Sequence, residues 1–182
     1  MVLIFFCVSG VLGAIDRHPS ITTRENEPEA TRSLESDACL FARTIEPFPG
    51  ALVVIANDWP LFHDLEFLQQ ECVPFAQRIV NAVRVLGGTK EEAVLGFLSS
   101  LSAEYVVVTS PDFEFSGETA GRRVNVGSEA GFDEQAAGRL RTLLEEYGDA
   151  ARSPASTDDV MRATSGNPWM RRMQTYLTQS RQ

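Results

Sequence analysis

Lysine is nearly absent from this chain: Lys90 is the single lysine among sixteen basic residues, and the arginines that supply the rest are scattered. Positive charge is scarce overall, with 25 acidic residues against 16 basic ones and a formal charge of −9. Such a surface excludes a nucleic-acid backbone or an anionic membrane as the main partner. Histidine is limited to His18 and His63, far apart in sequence. His63 sits beside Asp64 in a helical stretch and reads as a helix-face residue rather than a general base. The three cysteines, Cys7, Cys39 and Cys72, form no Cys-x-x-Cys pair, which excludes a thioredoxin-type motif. No Asn-x-Ser/Thr acceptor occurs, so N-glycosylation is not expected. No metal-ligand cluster, nucleophile triad, phosphate loop or internal repeat stands out.

What is present suffices for one packed domain. The chain has 182 residues, of which 43% are apolar and 23% charged, too ordered a mixture for wholesale disorder. Val2 to Ala14 is an almost unbroken apolar run. It falls short of the roughly 20 residues that span a bilayer. Its length suits a signal-peptide h-region ending at Gly13 and Ala14, or a short membrane anchor. A buried N-terminal strand or helix is the alternative. With the leader removed, Cys39 and Cys72 remain, an even count that permits one disulfide in an oxidising compartment. Two buried thiols are the other reading.

Beyond the N-terminus, strands and helices alternate. Residues 15–36 are polar and acidic and read as a flexible stem. Residues 34–46 suit a short helix. Ala51 to Ala56 is a short apolar run, β-branched at its centre, as expected of a strand buried on both faces. From Leu61 the apolar spacing of three and four predicts a helix that Pro74 interrupts. Ile79 to Leu86 suits a strand or a continued helix; the strand is preferred because Gly87-Gly88 closes it. Thr89 then N-caps a helix with Glu91 and Glu92 in its first turn, and a face of Ala93, Leu95, Phe97, Leu98 and Leu101. Ala103 to Thr109 is a further strand. Phe113 to Phe115 and Arg122 to Val126 are strand-like, and the glycine-rich stretch 117–131 between and after them reads as a loop. Residues 132–147 form an amphipathic helix that Gly148 stops. A last helix over 168–179 presents Trp169, with Arg171 and Arg172 on a solvated face.

The fold class expected from this order is α/β: a Rossmann-like β-α-β-α-β half over 51–109, with a mostly parallel sheet, flanking helices and C-terminal helices. The organisation is then a leader or anchor at 1–14, a stem at 15–36, an α/β domain at 37–148, a linker at 149–157 and a C-terminal helix within 158–182. Open α/β sheets bind ligands at the carboxyl ends of their strands. Asp58 follows the first of the three strands, and Asp112 and Glu114 follow the third. Carboxylates converging there would suit a hard divalent cation holding a diphosphate. As turn residues they would instead bond nearby backbone.

The stretch Gly87-Gly-Thr-Lys-Glu-Glu-Ala-Val-Leu-Gly-Phe-Leu-Ser-Ser-Leu-Ser-Ala-Glu-Tyr-Val-Val-Val-Thr-Ser-Pro-Asp-Phe-Glu-Phe115 resembles the nucleotide-binding core of GT-A glycosyltransferases. The likeness is to the β-1,4-N-acetylgalactosaminyltransferase and fukutin-related-protein type. It runs from Ala51 to Phe115. In it Tyr105 to Thr109 matches the strand before the acidic DxD motif, Ser110-Pro-Asp112 lies over that motif, and Phe113 and Phe115 follow. Asp58 matches the acid after the first strand. Ser110 and Pro111 stand where the family has further aspartates, which leaves Asp112 as the matching ligand and Glu114 as a substitute. The resemblance implies a secretory-pathway, Golgi-type glycosyltransferase-like domain, active or degraded. It would bind a nucleotide sugar through Asp58 and Asp112, with manganese at Asp112 and Glu114. The reading from a different class is a secreted or lumenal interaction protein that is non-catalytic and holds no cofactor.

Overall fold

The structure, a computed structural model, describes residues 1–7, 11–12, 34–56, 65–71, 73–83, 88–99, 101–110, 115–127 and 130–165. Five parallel strands form one sheet: β1 (Val2–Phe6), β2 (Ala51–Ala56), β3 (Ile79–Val83), β4 (Glu104–Thr109) and β5 (Arg123–Asn125). Their spatial order is β3-β2-β1-β4-β5. The helices are α1 (Leu34–Ile45), α2 (Leu65–Glu71), α3 (Lys90–Leu98), α4 (Glu134–Glu146), α5 (Asp149–Arg152) and α6 (Thr157–Ser165), with a 3₁₀ segment at Val73–Arg78. The fold is the expected Rossmann-like α/β arrangement.

The main departure from the sequence reading lies at the N-terminus. The run read as a leader or anchor supplies β1, the central strand. Val2 to Phe6 pairs with Ala51 to Ile55 on one side and with Glu104 to Val108 on the other. All five β1 residues have no exposed surface. A strand hydrogen-bonded on both edges and covered on both faces must be apolar throughout, so it has the same composition as an h-region. Among the described residues no helix is long and apolar enough to cross a membrane.

Alternate β1 side chains feed two cores. Val2, Ile4 and Phe6 face a core with α1, the 3₁₀ segment and α4, while Leu3, Phe5 and Cys7 face one with α3 and α6. In the first, Phe41 of α1 lies with its ring centroid 4.4 Å from Phe6, 4.7 Å from Phe75 and 5.3 Å from Phe132. Edge-on and tilted contacts of this kind add to the area term and fix how α1 seats on the sheet.

Residues 149–157, read as a linker, include the helix α5, and Ala151 within it is fully buried. This segment passes the amino end of the sheet, where Gly50 N–H donates to Ala151 O at 2.8 Å and Val2 N–H donates to Gly50 O at 2.9 Å. A Cβ at Gly50 would lie 2.4 Å from the carbonyl oxygens of both Ala150 and Ser153. Backbone oxygens cannot swing aside, so Gly50→Ala is expected to destabilise by about 2–3 kcal/mol, the upper range for overpacking. Urea unfolding would show this as a lower midpoint with an unchanged slope.

The chain then crosses to α6. Asn81 of β3 is buried and donates from Nδ2 to Ala163 O at 2.6 Å and Thr164 O at 3.1 Å, taking up carbonyls at the end of α6. The expected helix over 168–179 lies outside the described residues. The face expected of α3 holds at Phe97, with Ala93, Leu98 and Leu101 packed partly buried on the same core, and departs at Leu95. Val94 and Phe97 are buried with Glu91, whereas Leu95 is half-buried.

Candidate functional site

In a parallel sheet every strand ends on one edge, and here that edge gathers the segments of interest. The order β3-β2-β1-β4-β5 reverses direction at β1: successive strands run outward to β3, then resume on the other side at β4. The boundary between β1 and β4 is the topological switch point, where open α/β sheets take ligands. Phe6 pairs with Ile55 of β2 and with Val108 of β4. One step further along, Cys7 lies between Ala56 and Thr109. Cys7 N–H donates to Val108 O at 2.9 Å, and its thiol donates to Ala56 O at 3.0 Å.

Asp58 therefore follows the strand on one side of β1, and Asp112 with Glu114 follows the strand on the other. Asp58, Asp112 and Glu114 themselves lie outside the described residues, as does Cys72. Neither Cys7 nor Cys39 forms a disulfide among the described residues, and Cys39 is half-buried in α1. Among the described residues no group of three or more His, Cys, Asp or Glu side chains is placed to hold a metal ion. His63 and the pair Arg171-Arg172 also fall outside them.

Three polar residues on the described part of this edge are closed from solvent. Thr109 and Ser110, at the end of β4, are 1% and 0% exposed. Asp37, early in α1, is 1% exposed. It packs so closely on Gly131 that a Cβ there would meet its Oδ2 at 2.2 Å. Gly131 also has φ of +63°, so glycine is required there by backbone and by space together. Nothing in the sequence pattern marked Asp37, because an acid in the first turn of a helix is ordinarily explained by the helix dipole.

Glu91 was read in the same way, and its surroundings show a different use. It sits at the start of α3 with 6% of its surface exposed. Oε2 accepts from Ser116 N–H at 2.8 Å; Oε1 accepts from the Thr119 hydroxyl at 2.6 Å and from Thr119 N–H at 3.3 Å. Burial pushes the Glu91 carboxyl up, but the hydrogen bonds from Ser116 and Thr119 outweigh it and hold the pKa at about 2, against an ordinary 4.5. Protonation would convert an acceptor into a donor facing donors. The depressed folded-state value means that Glu91 contributes stability above about pH 4.5, lost as pH falls toward about 2. Glu91→Gln is accordingly expected to be less stable at neutral pH and to lose part of the acid-dependent decline between those values. Circular-dichroism melts from pH 2 to 7 would check it.

Comparison of the chain with protein-family models, with curated proteins and with solved structures finds no match.

Proposed function

We propose that the chain is a glycosyltransferase-like domain of the secretory pathway that binds a nucleotide sugar through a divalent cation at the carboxyl edge of its sheet. The observation that carries the reading is the strand order, with β2 and β4 as the two neighbours of β1. Ala56 and Thr109 are two strand spacings apart, about 10 Å. The chain reaches at most about 3.5 Å per residue. Asp58 is two residues beyond Ala56 and Asp112 three beyond Thr109. Their combined reach exceeds the gap, so one nucleotide sugar held by both is within the chain's length.

The chemistry follows from the residue types. Asp112 and Glu114 would supply hard oxygen ligands for a manganese ion, whose charge would offset that of a nucleotide sugar's diphosphate. Asp58 would act on the nucleotide side. The cation's contribution is to neutralise the diphosphate, as leaving group or as bound anchor. The resemblance over Ala51 to Phe115, and not the N-terminal run, supports the secretory compartment.

A thermal-shift series with uridine and guanosine diphosphates, each with and without manganese, tests the proposal. Binding to the folded state alone stabilises by about 2.7 kcal/mol at a hundred times the dissociation constant. For a chain of this size that is a rise of roughly 5–10 °C. A protein indifferent to every combination at millimolar concentration would overturn the reading.

A further inference from the structure

We propose that the outer edge of β5 takes an extended segment of a partner protein as a sixth strand, and that this segment carries a carboxylate opposite Arg123. The surface lies on the flank of the sheet and draws on none of the acids that follow β2 and β4.

The two flanks of the sheet are finished differently. At β3 the main chain is occupied by side chains: Ile79 O accepts from Gln69 Nε2 at 2.8 Å, and Ala82 N–H donates to Asn81 Oδ1 at 2.8 Å. Asn81 also ties α6 to that flank. Occupied groups of this kind keep an edge from pairing further. At β5 the ladder fixes which groups are left over. Val126 N–H donates to Thr109 O at 2.8 Å, and Val124 pairs with Val108. Residues 124 and 126 therefore turn their main chain to β4, while the N–H and C=O of Arg123 and Asn125 turn outward. Among the described residues no side chain or helix takes up these four groups; the Arg139 guanidinium donates to Gly121 O instead.

The side chains of this edge select the partner. Val124 is buried in the core on the α4 side, while Arg123 is half-buried and Asn125 exposed. A strand laid along β5 continues both faces, apolar beside Val124 and polar beside Arg123 and Asn125. The Arg123 guanidinium lies 5.6 Å from the Phe115 ring centroid, and its buried Nε has no hydrogen-bond acceptor among the described residues. Stacking on a ring orients a guanidinium without neutralising it. Its neighbour Arg122, over the Tyr105 ring, is instead paired with Glu104 at 3.2 Å. No described carboxylate pairs with Arg123 in this way. A cation that is oriented, partly desolvated and without an acid is complementary to one carboxylate from outside. The chain's formal charge of −9 repels an acidic tract, so the fit is to a β-forming segment with a single acid. Two copies paired about a two-fold at Val124 would set Arg123 opposite Asn125 and supply no acid.

The test uses the full chain and the capped peptide Ser-Thr-Val-Glu-Val-Thr-Ser. Beside it stand the same peptide with glutamine for glutamate, and one N-methylated at its three central residues. Amide spectra of the labelled protein should shift at residues 122–127. Binding should be about tenfold weaker for the glutamine peptide, and absent for the N-methylated one. Arg123→Gln should bind the glutamate and glutamine peptides equally. Asn125→Pro removes one outward N–H and leaves the β4 ladder intact, so it should melt cooperatively and lose about tenfold in affinity. Shifts confined to other residues, no shift at millimolar peptide, or equal binding of the glutamate and glutamine peptides to the unsubstituted protein would overturn the proposal. Acetate alone producing the same shifts would reduce the surface to an anion site and overturn strand addition. Sedimentation showing a dimer that Asn125→Pro dissociates would give the edge to a second copy and overturn the acidic partner.

Discussion

Deleting residues 1–14 is expected to leave a chain that does not fold. β1 is paired along its length with β2 and β4, and Val2 to Phe6 have no exposed surface. Burying one large apolar side chain contributes about 1.5–3 kcal/mol, so five contribute on the order of 10 kcal/mol. Whole domains are stable by only about 5–15 kcal/mol. The deletion also strips hydrogen-bond partners from the facing edges of β2 and β4. Circular dichroism of the 15–182 chain should show no cooperative melt. The milder Phe6→Ala, which opens a cavity beside Phe41 and Phe75, should fold and lose about 3–5 kcal/mol. A cooperative melt of the 15–182 chain would restore the leader reading of this segment and contradict the central-strand assignment.

Asp112→Asn is expected to abolish the manganese- and nucleotide-dependent rise in melting temperature while leaving the ligand-free protein as stable as before, or slightly more so. The sign follows from repulsion. The proposed site would bring Asp58, which follows β2, to Asp112 and Glu114, which follow β4, and carboxylates brought together raise each other's free energy until a cation or a proton intervenes. Asparagine keeps the shape and removes one charge, so it relieves the repulsion and weakens the cation's hold together. A turn-anchoring role for Asp112 predicts the opposite pair of results: no ligand response in either form, and a modest stability loss on substitution. Differential scanning fluorimetry of the two proteins, with EDTA controls, separates the outcomes.

The α/β order was legible in the sequence because its signals are local. Ala51 to Ala56 and Glu104 to Thr109 are apolar, β-branched runs of strand length, and both form as expected. The Thr89 cap and its Glu92 partner are set by a spacing of three within one turn. What escaped depends on partners distant in sequence. A central parallel strand and a signal h-region share one composition, and only pairing to two strands 49 and 102 residues away distinguishes them for Val2. α5 has four residues, too few to show a period, and is held by Gly50 from across the sheet. Glu91 obeyed the rule for first-turn acids so well that its burial left no mark. For the candidate site, the sequence supplied acids after strands. That the strands after which they come flank a common neighbour became apparent only once β1 occupied the middle.

Paramagnetic broadening by manganese is the most direct test of a cation bound at the carboxyl edge beside β1. Six-residue strands such as β2 and β4 span about 17 Å or more, and the amino and carboxyl edges are separated accordingly. In amide spectra of the labelled protein, substoichiometric manganese with uridine diphosphate should broaden Cys7, Ala56 and Ser110 beyond detection. Gly50, Leu101 and Ala103 should stay sharp, and EDTA should restore the lost signals. Uniform weak broadening, or loss confined to Gly50, Leu101 and Ala103, would contradict the account.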